Sequence, residues 1–342
     1  MCTENNLIRL LVVFCAFAIS LDVAAEELAL VRVGLGRDAS TGPMYIAALA
    51  GYFAAEGLDA RLEFFDSDAR VPAAVASGAL DMGVTTLTAS YFAFSATHDL
   101  KMLASYEGDQ AGYPGNTLVI AKKAYDAGLR TWQDMPGKRV GMTTAGAGLH
   151  YALAQIATKY AFDLRNVRIA WLQTPAKAMT ALARGQVDAA LVPAVAAMQL
   201  GSSTKTVTLR RVGDETPWQE SVVFTSGQTI QDRRALVEKF VRAYQRGAAE
   251  YDQTFLQRGD GSEVIKGAHY DEYLALMARH SGMPAELRAY LIPWSDRLGR
   301  LDVADIQRQL QFWQAQRMVD GSISAAALLD LSFISGHIGD LH

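Results

Sequence analysis

Cysteine is nearly absent from this 342-residue chain: Cys2 and Cys15 are the only two, and both lie within the first 25 residues. Beyond those residues there is no thiol, which excludes a disulfide framework, a thiolate metal site and a cysteine nucleophile. A surplus of one charge is missing too. The chain carries 32 basic against 36 acidic residues, a formal charge of −4, which gives no broad cationic field to attract a phosphate backbone. Nucleic acid is therefore not an expected partner. His98, His150, His269, His280, His337 and His342 are scattered, with no H-E-x-x-H and no carboxylate at ligand spacing, so no metal site is expected. Neither G-x-S-x-G nor G-x-x-x-x-G-K-[ST] occurs, so acyl transfer and nucleotide hydrolysis lack their usual carriers. What is present is apolar sequence: at 50% hydrophobic residues the chain is too apolar to be disordered.

Residues 7–21 form an almost unbroken apolar run ending in Asp22-Val23-Ala24-Ala25, where small side chains suit a signal peptidase. Cleavage is expected after Ala25. A membrane anchor needs about 20 apolar residues, and Glu26 and Glu27 follow this shorter run at once. Phe14 before Cys15 does not suit a lipoprotein acceptor. A soluble protein exported to the periplasm is the expectation. What remains is long for one core and comfortable for two domains of about 100–200 residues each.

From residue 31 to 212 short β-branched runs alternate with helix-period segments, the pattern of parallel sheets covered by helices. Strands are predicted at 31–35, 60–65, 81–84, 101–105, 117–121, 139–142, 167–171, 188–192, 207–212 and 221–224. Tyr45, Leu49, Tyr52 and Phe53 recur at helical spacing, as do Leu149, Leu153, Ile156 and Tyr160, and both stripes read as core. Thr131 to Gly137 forms a capped turn that opens a second strand-helix series. After Gln231 only helical periodicity remains, with Leu236, Phe240, Tyr244, Tyr251 and Phe255 in one stripe and Ile306, Leu310 and Trp313 in another. This helical tail is expected to pack back on the first lobe. The boundaries are then 1–25 for the leader, 26–115 for the first part of lobe one, 116–216 for lobe two, and 217–342 for the return and the tail. Two crossings near Gly115 and Thr216 would make a hinge. No short internal repeat or low-complexity segment is evident.

The run Gly42-Pro43-Met44-Tyr45, followed by Gly51-Tyr52-Phe53-Ala54-Ala55-Glu56-Gly57-Leu58, resembles the first helix of exported nitrate-, sulfonate- and taurine-binding proteins. Three further segments agree in order and spacing: 77–85 with Ser77-Gly78-Ala79-Leu80-Asp81, 129–143 with Pro136-Gly137-Lys138-Arg139-Val140-Gly141, and 183–190 with Arg184-Gly185-Gln186-Val187-Asp188. The same fold family includes binding proteins for thiamine pyrimidine precursors and the fungal thiamine pyrimidine synthases. The resemblance implies an α/β, two-lobed type II periplasmic binding protein fold. Each lobe is a mixed, mostly parallel sheet flanked by helices, and a helical C-terminal tail lies on lobe one. It further implies a monomer without cofactor or catalysis, serving an inner-membrane ABC permease and its ATPase.

Ligands of open α/β sheets lie outside the carboxyl ends of the strands, where helix N-termini present unpaired N–H groups. In lobe one such ends fall at Ser40, Thr41, Gly42 and Tyr45, at Thr85 and Thr86, and at Tyr106; Pro43 suits a first helical turn. In lobe two Thr144 leads through Gly146, Ala147 and Gly148 into the helix carrying His150. The matching loop of sulfonate binders presents its N–H groups to the ligand, so the same is expected of Gly146, Ala147 and Gly148. Small residues there let a ligand approach the backbone, the competing reading being a tight turn needed for packing alone. His150 is a candidate donor, against ordinary burial. Tyr45, Tyr91 and Tyr106 are candidate walls, against core packing. Arg37 and Asp38 follow the first strand and read as solvated surface.

Micromolar binding requires about −8.2 kcal/mol, and a helix dipole supplies only about 0.3–1, or about 2 when partly buried. Burying about 200 Å² of ligand adds on the order of 5 kcal/mol, so a small organic anion, a sulfonate or carboxylate, is expected over bare nitrate. Sulfonate and nitrate members commonly carry W-x-P after the strand that precedes Pro193; here the proline stands and the tryptophan does not. A pyrimidine-precursor binder and a periplasmic sensor are the alternatives within this fold. The cysteine-rich motif of the synthases is missing. Gly34-Leu35-Gly36-Arg37-Asp38-Ala39 matches a dinucleotide fingerprint, but Ser40 to Pro43 postpone the helix and Asp66 lies too far on, so a nicotinamide enzyme is only a remote alternative.

Overall fold

The structure is a computed structural model that describes residues 27–37, 42–199, 205–261 and 263–339. The expected leader lies outside the described residues, as do Asp38, Ser40 and Thr41. All ten expected strands are present: β1 Ala29–Gly36, β2 Leu58–Phe65, β3 Met82–Thr86, β4 Leu100–Asp109, β5 Asn116–Ala121, β6 Arg139–Met142, β7 Arg168–Trp171, β8 Ala189–Pro193, β9 Thr206–Arg211 and β10 Trp218–Ser226. They form two five-stranded sheets, β2-β1-β3-β10-β4 and β7-β6-β8-β5-β9.

In each sheet one strand runs against the others, β10 against β3 and β4, and β5 against β8 and β9. The cause is the chain path. Each reversed strand is the one that arrives from the other sheet, so it enters at the carboxyl edge and must run backwards between neighbours already laid down. The sheets are mixed for that reason.

Helices cover both sheets, with one expected stripe corrected: of Tyr45, Leu49, Tyr52 and Phe53 only Phe53 is buried, while Tyr45 and Tyr52 are half-buried and Leu49 is exposed, the short helices turning Met44, Ile46 and Ala47 inward instead. Gly227–Tyr251, capped by Ser226 Oγ accepting from the Thr229 N–H at 3.1 Å, buries Leu236, Phe240, Tyr244 and Tyr251. It closes a core with Val31, Val33 and Leu35 of β1 and with Phe53. Pro43–Leu49 starts with its proline in the first turn and buries Met44, Ile46 and Ala47. Gly148–Lys159 buries Leu149, Leu153 and Ile156. The tail helix Val303–Ala315 turns Ile306, Leu310 and Trp313 inward.

The tail packs on the first sheet, with Asp305 Oδ2 accepting from the Gln219 N–H at 2.8 Å. It also reaches the second sheet's helix, where Tyr151 Oη donates to Asp305 Oδ1 at 2.6 Å and the Tyr151 and Phe312 rings lie 5.8 Å apart. Sequence periodicity predicts the stripe but not this second neighbour, because aromatic residues flank it on both sides. Among the described residues no helix is long and apolar enough to cross a membrane.

A repeat too sparse to read from sequence joins the two sheets. Asp81 Oδ2 accepts from the backbone N–H of Arg32 at 2.7 Å and from its Nε at 3.3 Å, and Arg32 Nη2 donates to Gly78 O at 3.0 Å. In the second sheet Asp188 Oδ2 accepts from the Arg139 N–H at 2.8 Å and its Nε at 3.2 Å, while Arg139 Nη2 donates to Gly185 O at 3.1 Å. Arginine and aspartate are 49 residues apart in both. Asp81 is the more buried of the two carboxylates, at 8% against 25%, and takes a second arginine, Arg233, at 2.6 Å. Removing a hydrogen-bonded carboxylate from buried surroundings costs more than removing an exposed one. Asp81→Ala is expected to destabilise the protein by about 2 kcal/mol and Asp188→Ala by under about 1 kcal/mol, both read from urea denaturation; equal losses would contradict this account.

Candidate functional site

The chain passes between the sheets twice, from Asp109 to Asn116 and from Arg211 to Trp218. Asn116 stands opposite Pro193 at the end of β8, and Trp218 opposite Asp109 at the end of β4. Both passes therefore join carboxyl edge to carboxyl edge, and the space between those edges is where an α/β protein receives its ligand. The passes are tied to each other: Val212 N–H donates to Asn116 O at 2.8 Å, and Gly112 N–H to Asp214 Oδ1 at 2.8 Å. Asp109 Oδ2 accepts from the Asn116 N–H at 3.1 Å and its Nδ2 at 3.0 Å. Its Oδ1 wedges between Gly115 and Gly213, where a Cβ would come within 2.2 and 2.5 Å. Any other residue at either position would push the carboxylate out.

Of the expected site residues, Tyr106 lies inside β4, which runs past the predicted end to Asp109, while Thr85, Thr86 and Pro193 are the last residues of β3 and β8; many are engaged elsewhere. Tyr106 is fully buried, its hydroxyl beneath Gly42 and its ring 6.3 Å from that of Tyr244. Tyr91 is buried edge-on to Phe224 at 5.4 Å. Neither is a wall; both are core, because their rings complete the helix-to-sheet packing. Tyr45 is half-buried against His280 at 4.9 Å. Thr85 is buried; Thr86 is half-buried, and Asp68 Oδ2 accepts from its N–H at 2.7 Å and from its hydroxyl at 2.8 Å. Pro193 is half-buried beside the first pass, and Thr144 is exposed.

The glycine loop differs most from expectation. The N–H of Gly146 donates to His150 Nδ1 at 3.5 Å and that of Ala147 to Thr144 O at 3.3 Å. Gly146 O accepts from the Ala89 N–H at 2.9 Å, a bond between the two lobes. Gly148 lies under Trp218, whose ring would stand 2.3 Å from a Cβ there. His150 is buried among Trp171, Phe312 and Trp313, with ring centroids at 5.0, 5.5 and 5.7 Å, and burial pushes its pKa down. These groups hold the lobes together in this form, so the packing reading of the loop and of His150 is the one the contacts favour.

Four carboxylates gather at the apposed edges instead: Asp68, Glu107, Asp109 and Glu220. Burial lifts the Glu220 carboxyl well above its ordinary range, and Asp109, Glu107 and Asp68 add to the effect; Asp109 is raised by burial as well. Sequence reading missed Glu220 because β10 starts at Trp218, ahead of the predicted strand. Gln219 pairs with Gly108 and Ser221 with Glu107, leaving Glu220 as the extra residue of a bulge. The signal available was an acidic residue just before a β-branched run, which is too common to single out. On the second-sheet side of the first pass a cavity of about 490 Å³ opens between Pro114, Met198, Arg211 and Tyr290.

Residues 38–253 match the family model described as NMT1/THI5 like. The fold is similar to the periplasmic aliphatic sulphonate binding protein SsuA from Escherichia coli, at 15% identity and a TM-score of 0.69, covering 88% of this chain and 97% of that one. It is similar to the alkanesulfonate-binding protein SsuA from Xanthomonas axonopodis pv. citri, bound to MOPS, at 19% identity and 0.65, covering 89% and 99%. The periplasmic nitrate-binding protein NrtA from Synechocystis PCC 6803 aligns at 12% identity and 0.62, covering 88% and 85%. A search of curated proteins finds no match.

The raised carboxyls set a pH dependence. In the unfolded chain they ionise in the ordinary range, in the folded protein higher, so between the two the folded state binds more protons and stability falls as pH rises. His150, His280 and His337 are pushed down by burial and act in the opposite sense only up to about 6.5. Above that range the carboxyls dominate. From about pH 7 to about pH 8.5 the ligand-free protein should lose about 1 kcal/mol, and Glu220→Gln should flatten that slope. Urea titrations at the two pH values check it; an unchanged slope in the variant would remove Glu220 as the cause.

Proposed function

Because this chain belongs to the NMT1/THI5-like family, we propose that it is the extracytoplasmic solute-binding component of an ABC importer. It captures a small organic solute between the two carboxyl edges and delivers it to an inner-membrane permease and its ATPase. The apposition of those edges, joined by two passes only, carries the reading. The lobes are 26–115 with 217–342, and 116–216. Segments 109–116 and 211–218 form the hinge, because they are the sole covalent links and are bonded to each other. Closure excludes water from the guest and strengthens every polar contact to it. No bond of the solute is made or broken.

A sulfonate or carboxylate was the guest expected from sequence. The two amides of Gly146 and Ala147 would have to exchange their own partners for it. Arg211 lines the 490 Å³ cavity and is the cationic side chain that such a group would meet in that wall. The edges themselves present carboxylates.

Native mass spectrometry of the mature protein is expected to show a co-purified small molecule that denaturation releases. A solute at 100 times its dissociation constant should stabilise the fold by about 2.7 kcal/mol, seen as a raised Tm, and should reduce the radius of gyration in X-ray scattering. A solute that is chemically altered on incubation would overturn the binding role.

A further inference from the structure

We propose that the solute carries a cationic nitrogen group, a protonated amine, amidine or guanidine, and that this group is seated against Glu220 with Asp68, Glu107 and Ser221 around it. The inference rests on the solute-binding reading above and names the charge of its guest.

Geometry carries it first. The bulge in β10 turns Glu220 out of the ladder at the carboxyl edge of the first sheet, facing the first residue of the second. Bulges re-aim side chains in this way beside functional sites. The only hydrogen bonds described for its carboxylate are long ones, from Asn116 Nδ2 at 3.3 and 3.4 Å. Next to it, Ser221 stands directly opposite Thr86 on one side and Glu107 on the other. Residues directly opposite share a sheet face, so Thr86, Ser221 and Glu107 form a row along that edge. The Ser221 hydroxyl in the middle of the row is only 3% exposed and has no hydrogen-bond partner among the described residues. Asp68, fixed by Thr86, closes the row at the other end.

Chemistry then decides the sign. The groups facing Glu220 from the packed elements are Asp68 after β2, Glu107 and Asp109 of β4, and Asn116 of β5. Acidic groups crowded in a poorly solvated place repel one another, and an arriving N–H cation relieves that repulsion while supplying donors to several oxygens at once. An anion would increase it. The unpartnered hydroxyl adds an acceptor for a further N–H. Binding a cation to a carboxyl that burial keeps protonated also releases a proton, which gives the proposal a signature of its own.

The test titrates the full mature chain, by calorimetry in two buffers of different ionisation enthalpy, with n-butylamine, agmatine and benzamidine, and with butyrate, n-butanesulfonate and benzoate. At least one cation is expected to bind, with net proton release and with affinity rising from pH 6 to pH 8. Glu220→Gln should weaken it at least tenfold, and Glu107→Gln and Ser221→Ala several-fold. Should Glu220→Gln not fold, Ser221→Ala and the proton release of the unmodified protein decide. Cation affinity unchanged in the variants would overturn the seat. Binding of anions alone would overturn the charge while leaving the solute-binding role intact. No binding of either set, together with no co-purified molecule, would overturn both.

Discussion

Everything at the centre of this molecule depends on how its two sheets are joined. The chain leaves the first sheet at the carboxyl end of β4 and returns to it at the start of β10, so both reversed strands enter at the same edge. That one topological constraint brings the strand ends of both lobes together and gathers there residues more than a hundred positions apart. Asp109 holds the joint, one oxygen on the backbone and side chain of Asn116 and the other against two glycines. A buried carboxylate held in this way fixes where the two passes lie relative to each other.

The electrostatics of the site follow from that joint. Strand edges that meet exclude water, and Asp109 and Glu220, which stand on them, both shift upward. The helix N-terminus at Gly148, which sequence reasoning would give to an anion, is closed by Trp218 and by contacts across the lobes. The apposed edges thus offer carboxylates where the sequence alone pointed to helix amides. Fold similarity alone does not say which of the two meets a guest.

The paired Arg–Asp clamps show how far the likeness between the lobes extends. Arg32-Val33-Gly34 and Arg139-Val140-Gly141 open the two segments, Gly78 with Asp81 and Gly185 with Asp188 close them, and each arginine holds its strand to its turn at the same spacing. Such a repeat escapes periodicity because its matching residues are few and stand at the two ends of a long variable stretch. It becomes visible only when both sheets are laid out.

The amino-acid sequence by itself determined the ten strands, the helical stripes of the tail, the start of the first helix at Pro43 and the family resemblance. All of these rest on local periodicity and short turn signals, which act within a few residues. It also pointed to strand ends as the expected site, because that rule depends only on strand order. Which residues the apposed edges bring together was decided by tertiary structure: Tyr106 and His150 are buried in packing, whereas Glu220, Glu107 and Asp68, which no sequence signal singles out, converge. The physical reason is that burial and charge proximity are properties of the assembled edges. A bulge of one residue, or a tryptophan over a glycine, changes them without leaving any mark on the local pattern.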